Sequence, residues 1–367
     1  MCPTPSGYQS PDDGTGVGYV NAHTHIYSAL VPLMTRGLLA NGLPTDPANF
    51  KENLERLWWQ LDRALDESTL QASAELYVAE AQYGQTAALI DHHESPNFIE
   101  GSLDVLHDAC AHMGMYALLC YGITERNGGA QEAARGLAEN RRFLERDKSE
   151  FVRGAVGLHA SFTLSDESIR AAGELAAEFS APLHIHVAED PLDVEDAQQR
   201  GYEGVIDRLD KLGALQENAI LAHGVHLTRE EVELASERGV WFVQNPKSNR
   251  GNGVGYPRHL AAAAKAALGT DGWSSLMFGE HAVLMEDAAQ AEAAGAIGEL
   301  SSAARRLITS GALGLQLFPA LAKSPATPLR PSADQLTTIQ DNAQRAADRL
   351  WARMEEMREA PRNKKSL

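Results

Sequence analysis

The sequence predicts a parallel (β/α)₈ barrel, a TIM barrel, extended by a C-terminal helix. Three observations carry that prediction: a length of 367 residues, eight short apolar runs alternating with amphipathic stretches, and His and Asp residues gathered at the ends of those runs. The length suits one barrel with an appendage, or two ordinary domains, so the pattern has to decide.

The runs cover 19–25, 86–94, 115–124, 151–160, 182–189, 219–227, 240–246 and 266–272. Between them, stretches such as 131–146, 166–179 and 228–238 repeat apolar residues at three and four, the period of an amphipathic helix. Near-continuous apolar runs, rather than alternating ones, indicate strands covered on both faces and therefore a parallel sheet. Eight of them favour closure into a barrel over an open sheet.

The organisation expected is an N-terminal segment (1–17), the barrel (18–315), a Pro-rich linker (316–332) and a terminal amphipathic helix with its tail (333–367). The first connection, 26–85, is long and carries Pro32, Gly37, Gly42, Pro44 and Pro47 ahead of Trp58 and Trp59, which makes it a candidate lid. The Trp pair is read as core or interface packing. In the terminal helix Leu336, Ile339, Ala343, Ala346, Leu350, Met354 and Met357 form one stripe, to be covered by the barrel or by a second subunit in a homodimer.

Composition narrows the partners. Hydrophobic residues at 44% and charged residues at 22% exclude disordered and fibrous chains. Fifty acidic against 32 basic side chains leave a net charge of −18, which disfavours nucleic acid and anionic membranes and points to a small-molecule substrate. Cys2, Cys110 and Cys120 have no C-x-x-C spacing, against a disulfide framework or a thiolate zinc site. No run reaches the ~18 apolar residues of a membrane span, and the start lacks the pattern of a signal peptide, so a cytoplasmic location is expected.

A barrel of this kind places its chemistry at the C-terminal ends of the strands. There the sequence has His23-Thr24-His25, His184-Ile185-His186-Val187-Ala188-Glu189, His223, and Asp271 within Gly-Thr-Asp-Gly. Residues two apart on a strand share a side, so His23 and His25 can converge on one ion that His186 and Asp271 reach from across the mouth. Three imidazoles and a carboxylate suit one divalent metal ion, Zn²⁺ or alternatively Fe²⁺. His92 and His93 end the second run, and one of them is expected to line the pocket. Ser248, Asn249 and Arg250 follow the seventh run, where they can grip a polar substrate or equally sit in a solvated loop. Glu125 and Arg126 read equally as a surface ion pair or a substrate contact, His107 and His112 as surface residues, and Cys110 and Cys120 as core. Gly251-Asn-Gly-Val-Gly-Tyr reads as a loop at the mouth rather than a nucleotide cradle.

His23-Thr-His25, His186-Val-Ala-Glu189, Ala222-His223-Gly-Val-His, Asn245-Pro-Lys-Ser-Asn249 and Gly269-Thr-Asp271-Gly, in that order, resemble the mononuclear aminohydrolase and chlorohydrolase branch of the amidohydrolase superfamily. This branch includes cytosine, guanine and S-adenosylhomocysteine deaminases. Asp91-His-His-Glu-Ser-Pro is further similar to aminohydrolases associated with purine breakdown. The resemblance implies that His23, His25, His186 and Asp271 ligate the metal, that Glu189 and His223 form the acid–base pair with Asp271 taking a proton, and that His159 and Asn245 lie at the substrate. It implies hydrolytic deamination of an amino-substituted nitrogen heterocycle, purine-like by preference, with metal-activated water attacking the amino-bearing carbon and ammonia leaving. Hydrolytic dechlorination of a triazine-like ring and a metal-binding scaffold without catalysis are the alternatives. Relatives usually carry a small β-sandwich built from both chain ends; its strands are not legible here, so a barrel without it is expected. Binuclear relatives need a bridging lysine at the end of strand four. The run 151–160 has none in that position, which favours a single ion.

Overall fold

The computed structural model describes residues 18–34, 50–146, 149–272, 274–323 and 330–359. The expected N-terminal segment, the stretch with Gly37, Gly42, Pro44 and Pro47, the middle of the Pro-rich linker and the last residues of the tail lie outside the described residues.

Strands β1 (Tyr19–Thr24) and β2 (Thr86–Asp91) pair in parallel. The third run is split into β3 (Tyr116–Leu119) and β4 (Gly122–Ile123), and the fourth into β5 (Val152–Gly154) and β6 (Val156–Ala160). β3 bonds β2 and β5, whereas β4 bonds β6, so the two split strands hinge one half of the wall onto the other. β6 leads on through β7 (Leu183–Val187), β8 (Ile220–His223) and β9 (Trp241–Gln244) to β10 (Ala266–Leu268), all parallel. The ring closes where the N–H groups of Thr270 and Asp271 both donate to the His23 carbonyl, at 2.9 and 3.0 Å, beside a parallel bridge between Thr24 and Asp271. The protein is therefore an eight-position parallel barrel, and its closing seam joins two of the expected metal ligands.

Helices α1 (Glu67–Tyr83), α2 (Ser102–His112), α3 (Ala130–Glu145), α4 (Asp166–Phe179), α5 (Pro191–Gln199), α6 (Val205–Lys211), α7 (Arg229–Glu237) and α8 (Pro246–Gly251) form the crossovers. Their starts are written locally: Asp66 and Thr69 make a capping box at α1, Thr228 and Glu231 another at α7, and Ser165 caps α4. The apolar stripe of α4, with Ile169, Ala172, Leu175 and Ala176, is buried in one cluster with Val156, Leu158 and Leu183 of the wall. Beyond β10 come α9 (Met277–Ala293), α10 (Glu299–Ala304) and α11 (Arg306–Leu317).

The terminal helix α12 (Ala333–Glu359) folds back on its own chain. Ala343, Ala346, Ala347, Leu350 and Met354 are buried in one cluster with Leu70, Ala74 and Tyr77 of α1 and with Leu30. Arg353 fastens it by donating to the Ala64 carbonyl at 2.7 Å. Leu350 has no exposed surface, so Leu350→Ala is expected to cost about 2 to 5 kcal/mol in urea unfolding, the range for a leucine removed from a packed core. A loss below the error of the measurement would show that the helix lies outside the cooperative unit. Among the described residues no helix is long and apolar enough to cross a membrane.

Candidate active site

The period-two spacing on β1 and β7 sends His23, His25, His184 and His186 into the barrel, but at two depths. His25 Nε2 lies 3.2 Å from His186 Nε2 and 3.0 Å from Asp271 Oδ1. His23 Nε2 lies 3.6 Å from the same oxygen, and His223 Nε2 3.7 Å from Asp271 Oδ2. His184, one layer below His186, takes no part in this group; its Nε2 instead receives the Nδ1–H of His23 at 2.9 Å. His25 Nδ1 donates to the His92 carbonyl at 2.5 Å and His186 Nδ1 to the His159 carbonyl at 2.7 Å. Every Nδ1 is thus occupied from behind, and each ring presents Nε2 to the centre.

Two observations fit a divalent cation there. His23 Nε2 and His223 Nε2 are buried without a hydrogen-bond partner among the described residues, a costly arrangement unless something binds them. Electrostatics agrees. Burial drives His23 down to about 3 and, helped by neighbouring imidazoles, holds His186 well below its usual value, so both are neutral lone-pair donors. His25 behaves oppositely: burial works against its charge, yet the hydrogen bond and charge of Asp271 outweigh it and raise the ring to about 9. Asp271 would be raised by burial alone, but the imidazoles of His23, His25 and His223 around it hold it well below the usual carboxylate range. The pocket selects a positive charge between these groups.

The backbone is bent to build this mouth. Ala188, His223 and Asp271, at the ends of three strands, all occupy the left-handed region, with φ of 45°, 74° and 56°. Non-glycine residues hold such angles only where the surroundings impose them, and they cluster at functional sites. Gly269 must be glycine for a related reason: a Cβ there would stand 2.5 Å from Asn245 Oδ1 and 2.7 Å from the His23 carbonyl.

A cleft partly open to solvent lies over the centre. His25, His186, Glu189 and Asp271 form its floor, and Tyr27, Trp58, Trp59 and Phe162 stand among its walls. Glu189 Oε2 is 3.6 Å from His223 Nε2, and burial pushes its carboxyl up to about 7.

The sequence pattern of the amidohydrolase family matches residues 17–308. The chain belongs to this family. Relatives include an 8-oxoguanine deaminase of Pseudomonas aeruginosa, 31% identical over 280 residues (70% of this chain, 59% of the relative), and a 5'-deoxyadenosine deaminase of Methanopyrus kandleri, 28% identical over 263 residues (70% and 57%). The chain thus spans under three fifths of the length of these curated relatives. Among solved structures, an adenosine deaminase from Xanthomonas campestris with bound zinc superposes with a TM-score of 0.69 at 21% identity, covering 92% of this chain and 85% of its own. A zinc complex of atrazine chlorohydrolase from Arthrobacter aurescens gives 0.67 at 16% identity, covering 90% and 87%. These structural likenesses speak for the amidohydrolase barrel.

Several residues of this amidohydrolase stand elsewhere than the sequence suggests. Arg250 turns outward and pairs with Glu286 and Asp287 of α9, away from the cleft. Asn245 and Asn249, expected at the substrate, gather on His223: Asn249 Oδ1 receives its Nδ1–H at 2.9 Å, and Asn245 Nδ2 lies 3.5 Å from the same nitrogen. Neither His92 nor His93 lines the cleft; His92 Nε2 donates to the Leu158 carbonyl at 2.9 Å, and His93 sits against Ser95, Tyr27 and Tyr121. His159 does line it, with Nδ1 on Thr163 Oγ1 at 3.0 Å. Trp58 and Trp59 are wall residues as well as packing, Trp58 covering Gly272, where a Cβ would meet its ring at 3.0 Å. In the 251–256 loop, Val254 is buried against Phe50 and Val225. Arg126 is no surface residue: its guanidinium bridges Asp62 and Glu94, both buried, and Glu94 reaches the cleft 3.8 Å from His159 Nε2. Glu125 instead accepts from Ser165 and Ser168.

Proposed function

We propose that this amidohydrolase is a hydrolytic deaminase of an amino-substituted nitrogen heterocycle, purine-like by preference, working with one divalent ion, zinc in the first instance. His23, His25, His186 and Asp271 are the residues that would hold the ion. The observation that carries the reading is Glu189, a buried carboxyl 3.6 Å from His223 Nε2 beside that centre, because a barrel that only binds metal has no need of it. The names of the relatives support a purine-like ring.

When bound, the metal supplies an acidified water, its pKa brought from 15.7 to about 7. The chain's own groups do the rest. Asp271 takes a proton from the attacking water, and His223 Nε2 holds that water against the carbon bearing the amino group. Glu189, poised near pH 7, gives its proton to the ring nitrogen and takes one back from the new hydroxyl as the carbonyl forms, while Asp271 passes the proton it holds to the departing amine; donating and accepting in turn is the property wanted of a group titrating there. Trp58, Trp59 and Phe162 offer flat apolar surface for a ring and narrow the access of bulk water.

Two measurements test this. Elemental analysis of the purified protein is expected to give close to one transition-metal ion per chain; two at full occupancy would contradict the single centre. Ammonia release is then followed across aminopurines and their nucleosides, aminopyrimidines, pterins and triazines, with a purine-type compound expected to respond best. Chloride release from a chlorotriazine without ammonia from any aminated ring would replace deamination by dechlorination.

A further inference from the structure

Helix α8 is six residues long, yet three side chains on it and just after it reach all three residues given a proton-handling role. Ser248 Oγ donates to Asp271 Oδ2, Asn249 Oδ1 accepts from His223 Nδ1–H at 2.9 Å, and Asn252 Nδ2 donates to Glu189 Oε1 at 3.0 Å. The three are not independent. Asn252 also donates to Ser248 Oγ at 3.2 Å, one helical turn back, while its own Oδ1 accepts from Asn53 Nδ2 at 2.8 Å. That last bond fixes the orientation of the amide, leaving its N–H groups for Glu189 and Ser248.

We propose that α8 together with Asn252 is a positioning device for the reaction, tied through Asn53 to the helical segment 50–64 over the cleft. Its purpose rests on the deaminase reading above. Ser248 occupies one oxygen of Asp271 and leaves the other, Oδ1, facing His23 and His25. Asn249 sets the tautomer of His223, keeping the lone pair of Nε2 inward. Asn252 holds Glu189 beside His223. His223 and Asp271 both stand on left-handed backbone, where their own strands end and give little further guidance. The device is itself braced: the Lys247 N–H donates to the buried Glu280 at 3.1 Å, and Arg250 pairs with Glu286 and Asp287, all on α9. Asn249 is 2% exposed and supports His223 from behind the cleft wall, whereas Ser248 and Asn252 border the cleft themselves.

The test uses the whole protein, three alanine variants within the device with their conservative counterparts, and one alanine control outside it. In metal-free protein labelled with ¹⁵N-histidine, His223 is expected as the Nδ1–H tautomer; Asn249→Ala should give a mixture, and Asn249→Asp, which keeps an acceptor oxygen, should restore it. In cobalt(II)-substituted protein, Ser248→Ala should change the visible spectrum and Ser248→Thr should return it. With any panel compound that releases ammonia, Asn252→Ala should lower kcat about 10- to 100-fold with KM little changed, the usual effect of removing a support behind a working residue. Asn252→Asp should not rescue it, since it sets a second carboxylate against Glu189. Glu233→Ala, in an exposed ion pair with Arg229 on α7, should alter neither spectrum. Unchanged tautomer and cobalt spectra in the alanine variants overturn the proposal, even if turnover falls. Spectra that change as expected in a protein that deaminates nothing uphold the device and fault the deaminase reading instead.

Discussion

Glu189→Gln is expected to keep its metal and lose roughly 10²- to 10⁴-fold in turnover, the range for a positioned general acid–base group. The substitution is close to isosteric, and a glutamine oxygen can still accept from Asn252, which now donates to Glu189 Oε1 at 3.0 Å. What disappears is the proton. The carboxyl is raised to about 7 because it is buried, so near neutrality it exists in both forms, and an amide has neither role to offer. None of the four expected ligands changes, so bound metal should match the unmutated protein. Steady-state ammonia release and elemental analysis on the same preparation check both halves. A Glu189→Gln protein deaminating at near the original rate would remove the mechanism, and a barrel that only binds metal would release no ammonia before or after the substitution.

The parts of this site legible in the sequence are those fixed by strand period and by position along the chain. His23 and His25, two apart at the end of β1, and Asp271 at the end of the last run could be placed together because a closed parallel barrel brings all strand ends to one mouth. The same rule does not tell His184 from His186, which share a side. Depth separates them, and depth follows from the stagger between neighbouring strands, seen where Val187 pairs with His223 and His186 with Ala222. Loop side chains were harder still. Asn245, Asn249 and Arg250 sit within six residues, yet two face His223 and one faces α9, a division set by how α8 docks rather than by residue type. Asn252 carries no signature at all, because its role comes from Asn53 and Glu189, 199 and 63 residues away. The Glu94–Arg126–Asp62 network was hidden for a similar reason. Arg126 reads equally as a surface charge or a substrate contact until the segment after β1 folds over it, bringing Asp62 to a guanidinium that also faces Glu94 at β2's exit. The stripe on α12, by contrast, could be read for periodicity but not for partner. A helix shows what it must bury, while the surface that buries it is decided by the rest of the chain.

Asp271→Ala is expected to behave differently from Glu189→Gln, losing metal affinity and activity together. Asp271 is the only carboxylate among the four expected ligands, and its Oδ1 stands 3.0 Å from His25 Nε2 and 3.6 Å from His23 Nε2. Without it, the three remaining expected ligands are imidazoles, and none of them brings a negative charge to offset a divalent ion. His25 would also lose the strongest of the carboxylates that now raise it to about 9, with Glu94 and Asp91 left to oppose burial. Affinity should therefore fall even though the imidazole nitrogens remain available. The effect can be read without any substrate. A ligand that binds only the folded state stabilises it by about 2.7 kcal/mol at a hundred times its Kd. Added zinc should accordingly raise the unfolding midpoint of the unmutated protein and of Glu189→Gln alike, and raise that of Asp271→Ala much less at the same concentration. Dialysis against a chelator followed by elemental analysis gives the same ordering by a second route. An Asp271→Ala protein that holds one ion per chain with unchanged affinity would take the carboxylate out of the ligand set and leave His223, 3.7 Å from Asp271 Oδ2 with its Nε2 unpartnered, to be tested in its place.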